Sequence, residues 1–402
     1  MTGQLRAALL AGALLAASGT ASAAPVTLAE ALSQGKQSPR IAQARAQAQA
    51  AEARARQAGV SPNPEIGLEV ENFAGTGPYR NVRRAETTLE VSQRFELGGK
   101  RGARVAVARA ERDFALLAFK RVEADLSRDI RAAHAELRAA DDLAVLARDN
   151  VGQARELART AALLVDAGRD PPLRKLRADA LLAEARAEEA RAFGELLAAR
   201  RLLADLIGSS DPEISAAVVA DDAALTSLDP EFVSLDEQLA AAERDAARAR
   251  IRVATASAVP DVTASGGVRR INDDRETAFV AGVSIPLPIR DRNRGGIAAA
   301  EADSLAAEAS LAQARLQARR SRHDARMLLG AADERLAVLS GPLLAQAEEA
   351  VRLARLGYAA GKFSLIELLD AQAALTGART ALIEARLDRA RALGALIRAD
   401  AQ

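Results

Sequence analysis

The longest hydrophobic pattern in the chain recurs every three or four residues, which is the spacing of one face of an α-helix. It runs without a proline from Gly102 to Asp166. Its apolar positions include Phe119, Val122, Leu126, Ile130, Ala133 and Leu137. At about 1.5 Å per residue, this span predicts a rod of roughly 97 Å with one face against a neighbouring helix.

Four more helical spans share this spacing. A second long, uninterrupted helix is predicted from Gly295 to about Ala359. Shorter returning helices are predicted from Leu173 to Ile207 and from Leu365 to Asp400, and another helix from Ile41 to Ala58. The helical spans therefore cover most of the chain.

Between the helices, four short segments alternate apolar and polar residues, which predicts β-strands with two unlike faces. The first pair is Glu65 to Asn72 and Thr87 to Glu96, and the second is Asp261 to Arg270 and Thr277 to Pro286. In the first pair, apolar side chains such as Leu68 fall on one face. We therefore expect two antiparallel hairpins, within 65–96 and 261–286.

The order of these signals occurs twice, with landmarks separated by 192 to 196 residues. The landmark pairs are Pro64 with Pro260, Ser92 with Ser284, and Gly168 with Gly361. A nearly constant offset is the signature of an internal repeat. The sequence therefore predicts two related units, 24–210 and 211–402, each a strand pair with a long helical hairpin.

Composition excludes several classes of function. Aromatic residues make up 2% of the chain although apolar residues reach 49%, so alanine and leucine supply helices that pack closely. A formal charge of +1 with interleaved signs argues against a nucleic-acid partner. There is no cysteine, and His134 and His323 lack a second ligand at i+4. No catalytic set or cofactor fingerprint is present, so we predict neither an enzyme nor a metal or cofactor site.

The N-terminus reads as a secretory signal covering residues 1–23. Arg6 precedes an apolar run from Ala7 to Ala17 and then the small residues Ala21, Ser22 and Ala23. The apolar run is too short for the ~20 residues of a spanning helix. Since no other stretch is apolar enough, insertion into a membrane would have to use the strands.

Strand pairs cannot enter lipid alone, because their unpaired edge groups would each cost several kcal/mol there. Other copies of the chain must close those edges. Four strands per chain and three chains would give twelve strands, an even number within the range of closed outer-membrane barrels. The number three is not dictated by this arithmetic.

Two motifs carry a resemblance to the TolC family of outer-membrane efflux channels, over essentially the whole mature chain. They are Phe95-Glu96-Leu97-Gly98-Gly99-Lys100-Arg101 and Gly361-Lys362-Phe363-Ser364-Leu365-Ile366-Glu367-Leu368-Leu369-Asp370-Ala371-Gln372. The first is similar to the branch that serves heavy-metal exporters of the cobalt-zinc-cadmium class. The resemblance implies a mainly α fold with a small β portion.

The resemblance also implies an assembly, a homotrimer whose twelve-stranded barrel in the outer-membrane lipid continues as a helical barrel in the periplasm. It would dock onto a periplasmic adaptor protein and an inner-membrane RND pump, and carry metal cations passively. The loops 73–86 and 271–276 would lie outside the cell.

Acidic residues near the last hairpin are the first candidate site. Glu367 and Asp370 match the family's acidic positions at the periplasmic aperture, where three copies would form two rings that favour cations. The alternative is an ordinary solvated pair on a helix. The equivalent positions in the first unit are Arg174 and Arg177, which leads to the hypothesis that opposite charges on adjacent hairpins hold the tip closed.

Glycines mark two other candidate sites. Gly168 and Gly361 follow long helices, where a left-handed residue that ends the helix is usually glycine. Adaptor docking at these tips is implied by the resemblance. Gly98 and Gly99, with Lys100 and Arg101, lack the spacing of a phosphate-binding loop and are interpreted as the bend from strand to helix, near the inner headgroups.

Other functions stay open at this point. A periplasmic adaptor also carries a helical hairpin, but only one, in a β-rich chain. A soluble coiled-coil scaffold would not explain the strands, the repeated prolines or the signal peptide. Type I secretion or efflux of organic compounds is the alternative to metal efflux.

Overall fold

The computed structural model describes residues 25–210, 214–217, 233–360 and 362–401. The predicted signal peptide, 1–23, lies outside the described residues. The helices are α1 (Leu28–Gly35), α2 (Pro39–Gln57), α3 (Lys100–Asp166), α4 (Pro172–Ile207), α5 (Leu235–Ser257), α6 (Arg294–Val338), α7 (Leu344–Ala359) and α8 (Leu365–Ala399). The strands are β1 (Glu65–Glu71), β2 (Glu86–Phe95), β3 (Val262–Ile271) and β4 (Glu276–Ser284).

All four strands form one antiparallel sheet in the order β1-β2-β3-β4. One cross-strand row joins Leu68, Leu89, Val268 and Phe279. These four side chains are all exposed, and Phe279 is 90% exposed. The next row, on the opposite face, is polar and includes Glu69, Thr88 and Arg269. The sheet therefore has one apolar and one polar face, as the alternation of residues predicts.

The polar face is organised by an arginine. Nη1 and Nη2 of Arg269 each lie 3.0 Å from a carboxylate oxygen, that of Glu86 and that of Glu71. Nε of Arg269 also donates to the buried hydroxyl of Thr88 at 3.0 Å. One guanidinium thus ties together three strands, two of the first pair and one of the second.

The predicted strands are confirmed within two residues at their ends. The predicted helix from Gly102 to Asp166 is confirmed and begins two residues earlier. Helix α1 was not among the predictions, because its short span lacks a long apolar period. Its start carries a capping box in which Thr27 and Glu30 each bond the other's backbone N–H.

The second long helix is not uninterrupted, so that prediction is wrong. A π-helical turn, Leu339–Leu343, separates α6 from α7 and contains Pro342. Proline lacks an N–H and its ring collides with the carbonyl four residues earlier, which forces the chain to widen there. The hydroxyl of Ser340 donates to the carbonyl of Leu336 at 2.7 Å in the same stretch. The equivalent part of α3 has no proline and stays α-helical.

The helices form a wall one layer thick. Near the sheet, α2 packs along α3, α3 along α5, and α5 along α6. Farther from the sheet, α4 packs along α3, α3 along α8, and α8 along α6 and α7. Helices α2 and α4 therefore border one side of the wall, and α6 and α7 border the other.

The core of this wall is thickest where α1 covers α3 and α4. There Ile130 and Leu137 of α3 are each 1% exposed, and Leu203 of α4 is fully buried. The cluster also contains Ile41 and Ile214. Elsewhere the interfaces consist mainly of alanine, which lets the helix axes approach closely. None of the helices in the described ranges is both long and apolar enough to cross a bilayer.

Arg398 near the end of α8 connects three helices. Its guanidinium pairs with Asp125 of α3 and makes two bonds of 3.1 Å to Asp236 of α5. The Arg398 side chain is 11% exposed. Arg391, which lies about two turns before Arg398 on α8, bonds Glu136 of α3 at 2.6 Å but is half exposed.

We expect Arg398→Ala to lower the free energy of unfolding by about 2 kcal/mol, because it leaves Asp125 and Asp236 to share the half-exposed Arg121, which lies 3.8 and 3.4 Å from them. This is less than the ~3 to 5 kcal/mol of a fully buried pair, since Asp236 is partly exposed. Arg391→Ala is the matched control and should cost only ~0 to 1 kcal/mol. Urea denaturation followed by circular dichroism measures both, and equal losses would contradict this role for Arg398.

Candidate functional site

The first hairpin tip joins α3 to α4 at Gly168. Gly168 has φ +69°, the left-handed conformation that glycine adopts without strain. The backbone N–H groups of Gly168 and Arg169 donate to Val165 and Leu164 at 3.0 and 2.9 Å. These bonds satisfy carbonyls that the end of α3 would otherwise leave open. The predicted helix-ending geometry at Gly168 is therefore present.

The second tip joins α7 to α8, and its Gly361 lies outside the described residues. Beside it, the N–H of Lys362 donates to the carbonyl of Gly357 at 2.8 Å. The ring of Phe363 fills the space where a Cβ on Gly357 would sit, with a carbon only 2.2 Å from that position. A side chain at residue 357 would thus force the ring of Phe363 to move.

Glu367 and Asp370 lie one turn apart on α8, and both are exposed. Glu367 also takes part in the cap of α8, which the sequence analysis missed. Its carboxylate accepts the backbone N–H of Ser364 at 2.6 Å, and its own N–H donates to the Ser364 hydroxyl at 3.3 Å. The bond from the Ser364 backbone is the main cause that holds the pKa of Glu367 below its ordinary value. The pattern Ser-x-x-Glu at 364–367 is a signal for this capping box.

The two arginines of the first tip are arranged differently from each other. Arg174 pairs with Asp170 one turn earlier, and this contact raises the pKa of Arg174. Arg177 is exposed and has no ion pair among the residues that the structure describes. Within one chain, neither arginine bonds Glu367 or Asp370. The Asp170 contact could have been read from the i, i+4 spacing.

The strand-to-helix exit combines two left-handed glycines with one ion pair and one hydrogen bond. Gly98 and Gly99 have φ +68° and +73°, and Gly99 caps α3. The Lys100 ammonium lies 2.6 Å from Asp261 at the start of β3. Arg101 donates to the Ser61 hydroxyl at 3.3 Å. Lys100 thus links the exit of the first strand pair to the entry of the second.

A third contact at the exit was also missed by the sequence analysis. Arg104 pairs with Glu96 and donates to the carbonyls of Ala58 and Val60 at 3.0 and 3.2 Å. It therefore ties the end of β2, the start of α3 and the end of α2 together. Glu96 and Arg104 are eight residues apart across the bend, a spacing with no local signature.

The two histidines are placed apart. Nε2 of His134, which is buried, lies 3.1 Å from the carbonyl oxygen of Val26. His323 is exposed on α6. In the described ranges there is no group of three or more residues that could hold a metal ion.

Residues 30–209 and 235–402 both match the family of outer membrane efflux proteins. The chain belongs to this family. The protein is accordingly an outer-membrane efflux channel whose helices extend into the periplasm, in a family of ducts and not of enzymes. The two matched ranges each contain one strand pair and one long hairpin.

Two relatives show how far the likeness extends. The chain is 31% identical to the cobalt-zinc-cadmium resistance protein CzcC of Cupriavidus metallidurans over 364 residues, 89% of this chain and 85% of CzcC. It is 34% identical to the nickel-cobalt-cadmium resistance protein NccC of Alcaligenes xylosoxydans xylosoxydans over 278 residues, 68% of this chain and 63% of NccC. The matched region thus spans less than two thirds of NccC.

The fold is shared with a solved transmembrane channel, CusC. The superposition has a TM-score of 0.79 at 20% identity and covers 93% of this chain and 92% of CusC. It shows that the two chains share one fold, a wall of helices next to one small sheet.

Replacing Gly98 or Gly99 by alanine should destabilise the protein to different extents. Alanine at either position meets a left-handed backbone, at a cost of roughly 1 to 2 kcal/mol. At Gly98 the new Cβ would also lie 2.7 Å from Cβ of Val259, whereas at Gly99 nothing lies within 4 Å. Gly98→Ala should therefore lower the thermal midpoint of the membrane-extracted protein clearly more than Gly99→Ala, as measured by circular dichroism. Equal midpoints would show that Val259 does not constrain the bend.

The capping box at Ser364 predicts local behaviour of α8. Ser364→Ala should speed amide exchange in the first turn of α8 roughly fivefold, the size expected for loss of a serine N-cap. Thr27→Ala is the matched control and should affect only α1. The measurement is hydrogen exchange by mass spectrometry, and an unchanged first turn of α8 would contradict this role for the cap.

The lowered pKa of Glu367 also predicts that the protection of the first turn of α8 against amide exchange depends on pH. Since this pKa is depressed in the folded protein, the stabilisation is fully present above the ordinary glutamate pKa. Protection of the first turn of α8 should fall as the pH drops through the pKa that Glu367 has in the folded protein. It should stay constant in mild alkali.

Proposed function

We propose that the chain is one subunit of a homotrimeric channel that carries heavy-metal cations out of the cell. It would work with a periplasmic adaptor and an inner-membrane RND pump. The likeness to CzcC carries this proposal, since CzcC is a cobalt-zinc-cadmium resistance protein and the match covers most of both chains. The channel supplies no energy, and the pump and adaptor select the metal.

The sheet supports closure by copies of the chain. β1 and β4 each have a partner on one side only. Their apolar face suits lipid, and their polar face suits a water-filled lumen. Twelve strands from three chains would leave no edge. In this arrangement the strand pairs within 65–96 and 261–286 form the barrel, and the loops 73–86 and 271–276 lie outside the cell.

The charges on the polar face favour cations. Glu65, Glu69 and Glu90 lie on that face, and among the described residues they have no ion-pair partner. Glu71 and Glu86 are compensated by the single Arg269. Three copies would surround the lumen with more carboxylates than guanidinium groups. At the opposite end, Glu367 and Asp370 would form two further acidic rings.

The tips are proposed to serve docking and gating. Apolar side chains near Gly168 are strongly exposed, with Leu163 at 71% and Leu173 at 72%. They would be covered by the adaptor, together with the turn at Gly361. In the closed state, Glu367 and Asp370 would pair with Arg174 or Arg177 of a neighbouring hairpin. Arg174 would first have to leave Asp170, and such exposed pairs are weak, which suits a gate that must open.

The units 24–210 and 211–402, preceded by a signal peptide at 1–23, complete the proposal. The two hairpins would descend from one ancestral unit. The second contains the π turn at Leu339–Leu343, and the long helix α3 of the first is continuous.

Two measurements test this function. Deleting the gene in its own host should raise sensitivity to Co²⁺, Zn²⁺ or Cd²⁺ and leave sensitivity to organic dyes and detergents unchanged. The reverse pattern would favour a channel for organic compounds and contradict the metal proposal. Restoring the wild-type gene is the control.

The acidic rings are tested in planar bilayers. The wild-type channel should prefer cations, as read from its reversal potential in a salt gradient. Glu367→Gln with Asp370→Asn should lower that preference severalfold, because the rings lose their charge. Glu188→Gln, whose charge is compensated by Arg191 in contact with it, is the control and should change little. An unchanged cation preference in the double variant would show that neither Glu367 nor Asp370 lines the aperture.

A further inference from the structure

A cavity of about 390 Å³ lies between α3 and α8. Its α3 side includes Arg131, Ala135 and Arg138, at steps of four and three residues. Its α8 side includes Arg386 and Ala390. Since α3 is flanked by α4 and α8, and α8 by α3 and α6, the cavity lies within the wall of one chain. Its volume is within the range of small-molecule sites, about 300 to 1,000 Å³.

The cavity is far from the sheet. Arg138 follows Lys100, the first residue of α3, by 38 residues. At 1.5 Å per residue, roughly 57 Å of helix therefore separates it from the exit of β2. A lipid headgroup at the membrane does not reach that far. A ligand of this cavity has to come from the solution around the helices.

The lining carries more guanidinium groups than carboxylates. Of the described residues that line the cavity, only Asp142 is acidic. A second carboxylate, that of Asp333, lies 2.6 Å from one of the lining arginines. The lining arginines are Arg131, Arg138, Arg386 and Arg389. The cavity therefore keeps a positive charge even when both carboxylates are ionised.

Two of these arginines, Arg138 and Arg386, lie at the same level on facing helices. α8 runs antiparallel to α3, and Ala139 belongs to the same apolar cluster as Ile383. Counting from these two residues places Arg138 and Arg386 within about one helical turn of each other. Arg386 is exposed, so the cavity opens to water there. Neither arginine makes an ion pair with any residue that the structure describes.

Asp142 lies one turn after Arg138 and responds to both arginines. Burial raises the pKa of Asp142, and the charges of Arg138 and Arg386 oppose that rise. Both guanidinium groups therefore lie close enough to act on the carboxyl group, but no direct contact with it holds them. Their N–H groups are left to bind another anion.

The rest of the lining is mainly apolar. It includes Leu28 of α1, Leu336 of α6, and Ile383 and Leu387 of α8. An inorganic anion would contact the arginines and leave these side chains against water. An organic anion would cover them as well, which favours it by the apolar area removed from water.

We propose that this cavity binds a small organic dianion. Its phosphate or carboxylate oxygens lie against Arg138 and Arg386, because the planar fork of a guanidinium group matches both kinds of oxyanion. Its apolar body lies against Leu336 and Leu387. The proposal goes beyond the proposed channel, since it depends neither on the transported metal nor on the number of copies.

Isothermal titration calorimetry of the wild-type protein in mild detergent tests the ligand class. Phenyl phosphate and phthalate, two aromatic dianions, should each bind once per chain. Both should bind about tenfold more tightly than inorganic phosphate, which lacks the apolar body. Benzamide, which is neutral, should not bind. The proposal is wrong if neither aromatic dianion binds at millimolar concentration, or if inorganic phosphate or benzamide binds as tightly as they do.

Substitutions test the residues that hold the ligand. Arg138→Gln and Arg386→Gln should each weaken phenyl phosphate binding about tenfold, the size expected for lost hydrogen bonds to a charged group. Arg155→Gln is the matched control. Arg155 is also on α3 and exposed, but it lies more than four turns beyond Arg138, so this variant should bind like the wild type. Wild-type affinity in both cavity variants would overturn the proposal.

A third variant, Ala135→Leu, narrows the cavity without changing its charge. It should weaken phenyl phosphate binding more than inorganic phosphate binding, and equal losses would contradict an apolar subsite. Circular dichroism shows whether each variant keeps the helical content of the wild type. The comparison of probes uses the wild-type chain alone, so it decides the proposal even if a variant does not fold.

Discussion

The structure depends on the unsatisfied backbone groups at the two edges of its sheet. A four-stranded antiparallel sheet with one apolar face suits a membrane, but β1 and β4 would each leave a row of N–H and C=O groups in lipid. In the described ranges, no strand of the chain pairs with the outer side of β1 or of β4. Closure by further copies therefore determines what the helices below the sheet must do, because they have to continue the same closed wall.

The helices meet that requirement with small side chains and a few charged contacts. Alanine at most interfaces permits close packing of the helices. Larger apolar side chains are concentrated where α1 covers α3 and α4. Arg104, Lys100 and Arg398 then join segments that are distant in the sequence, at the top of the wall and along α8. Both borders keep a free face, which is the feature that distinguishes a subunit of a wall from a self-contained bundle.

Periodicity along the sequence was enough to predict α3, the returning helices and all four strands, since each has a long and regular pattern. It did not predict the π turn, because the apolar period continues across Pro342 and only the missing donor shows the break. Of the site residues, Gly168 and the exit glycines follow from helix-ending and bend rules. The Lys100 contact with Asp261 could not be predicted, since the two residues are far apart in sequence and their meeting depends on the sheet.

The number of chains in the native particle tests the central claim most directly. Native mass spectrometry of the protein, extracted from outer membranes in a mild detergent, measures that number without labels or variants. Closure of the strand edges by copies predicts a particle of three chains that separates only on heating. A folded single chain in the detergent, with the same helical content, would contradict it.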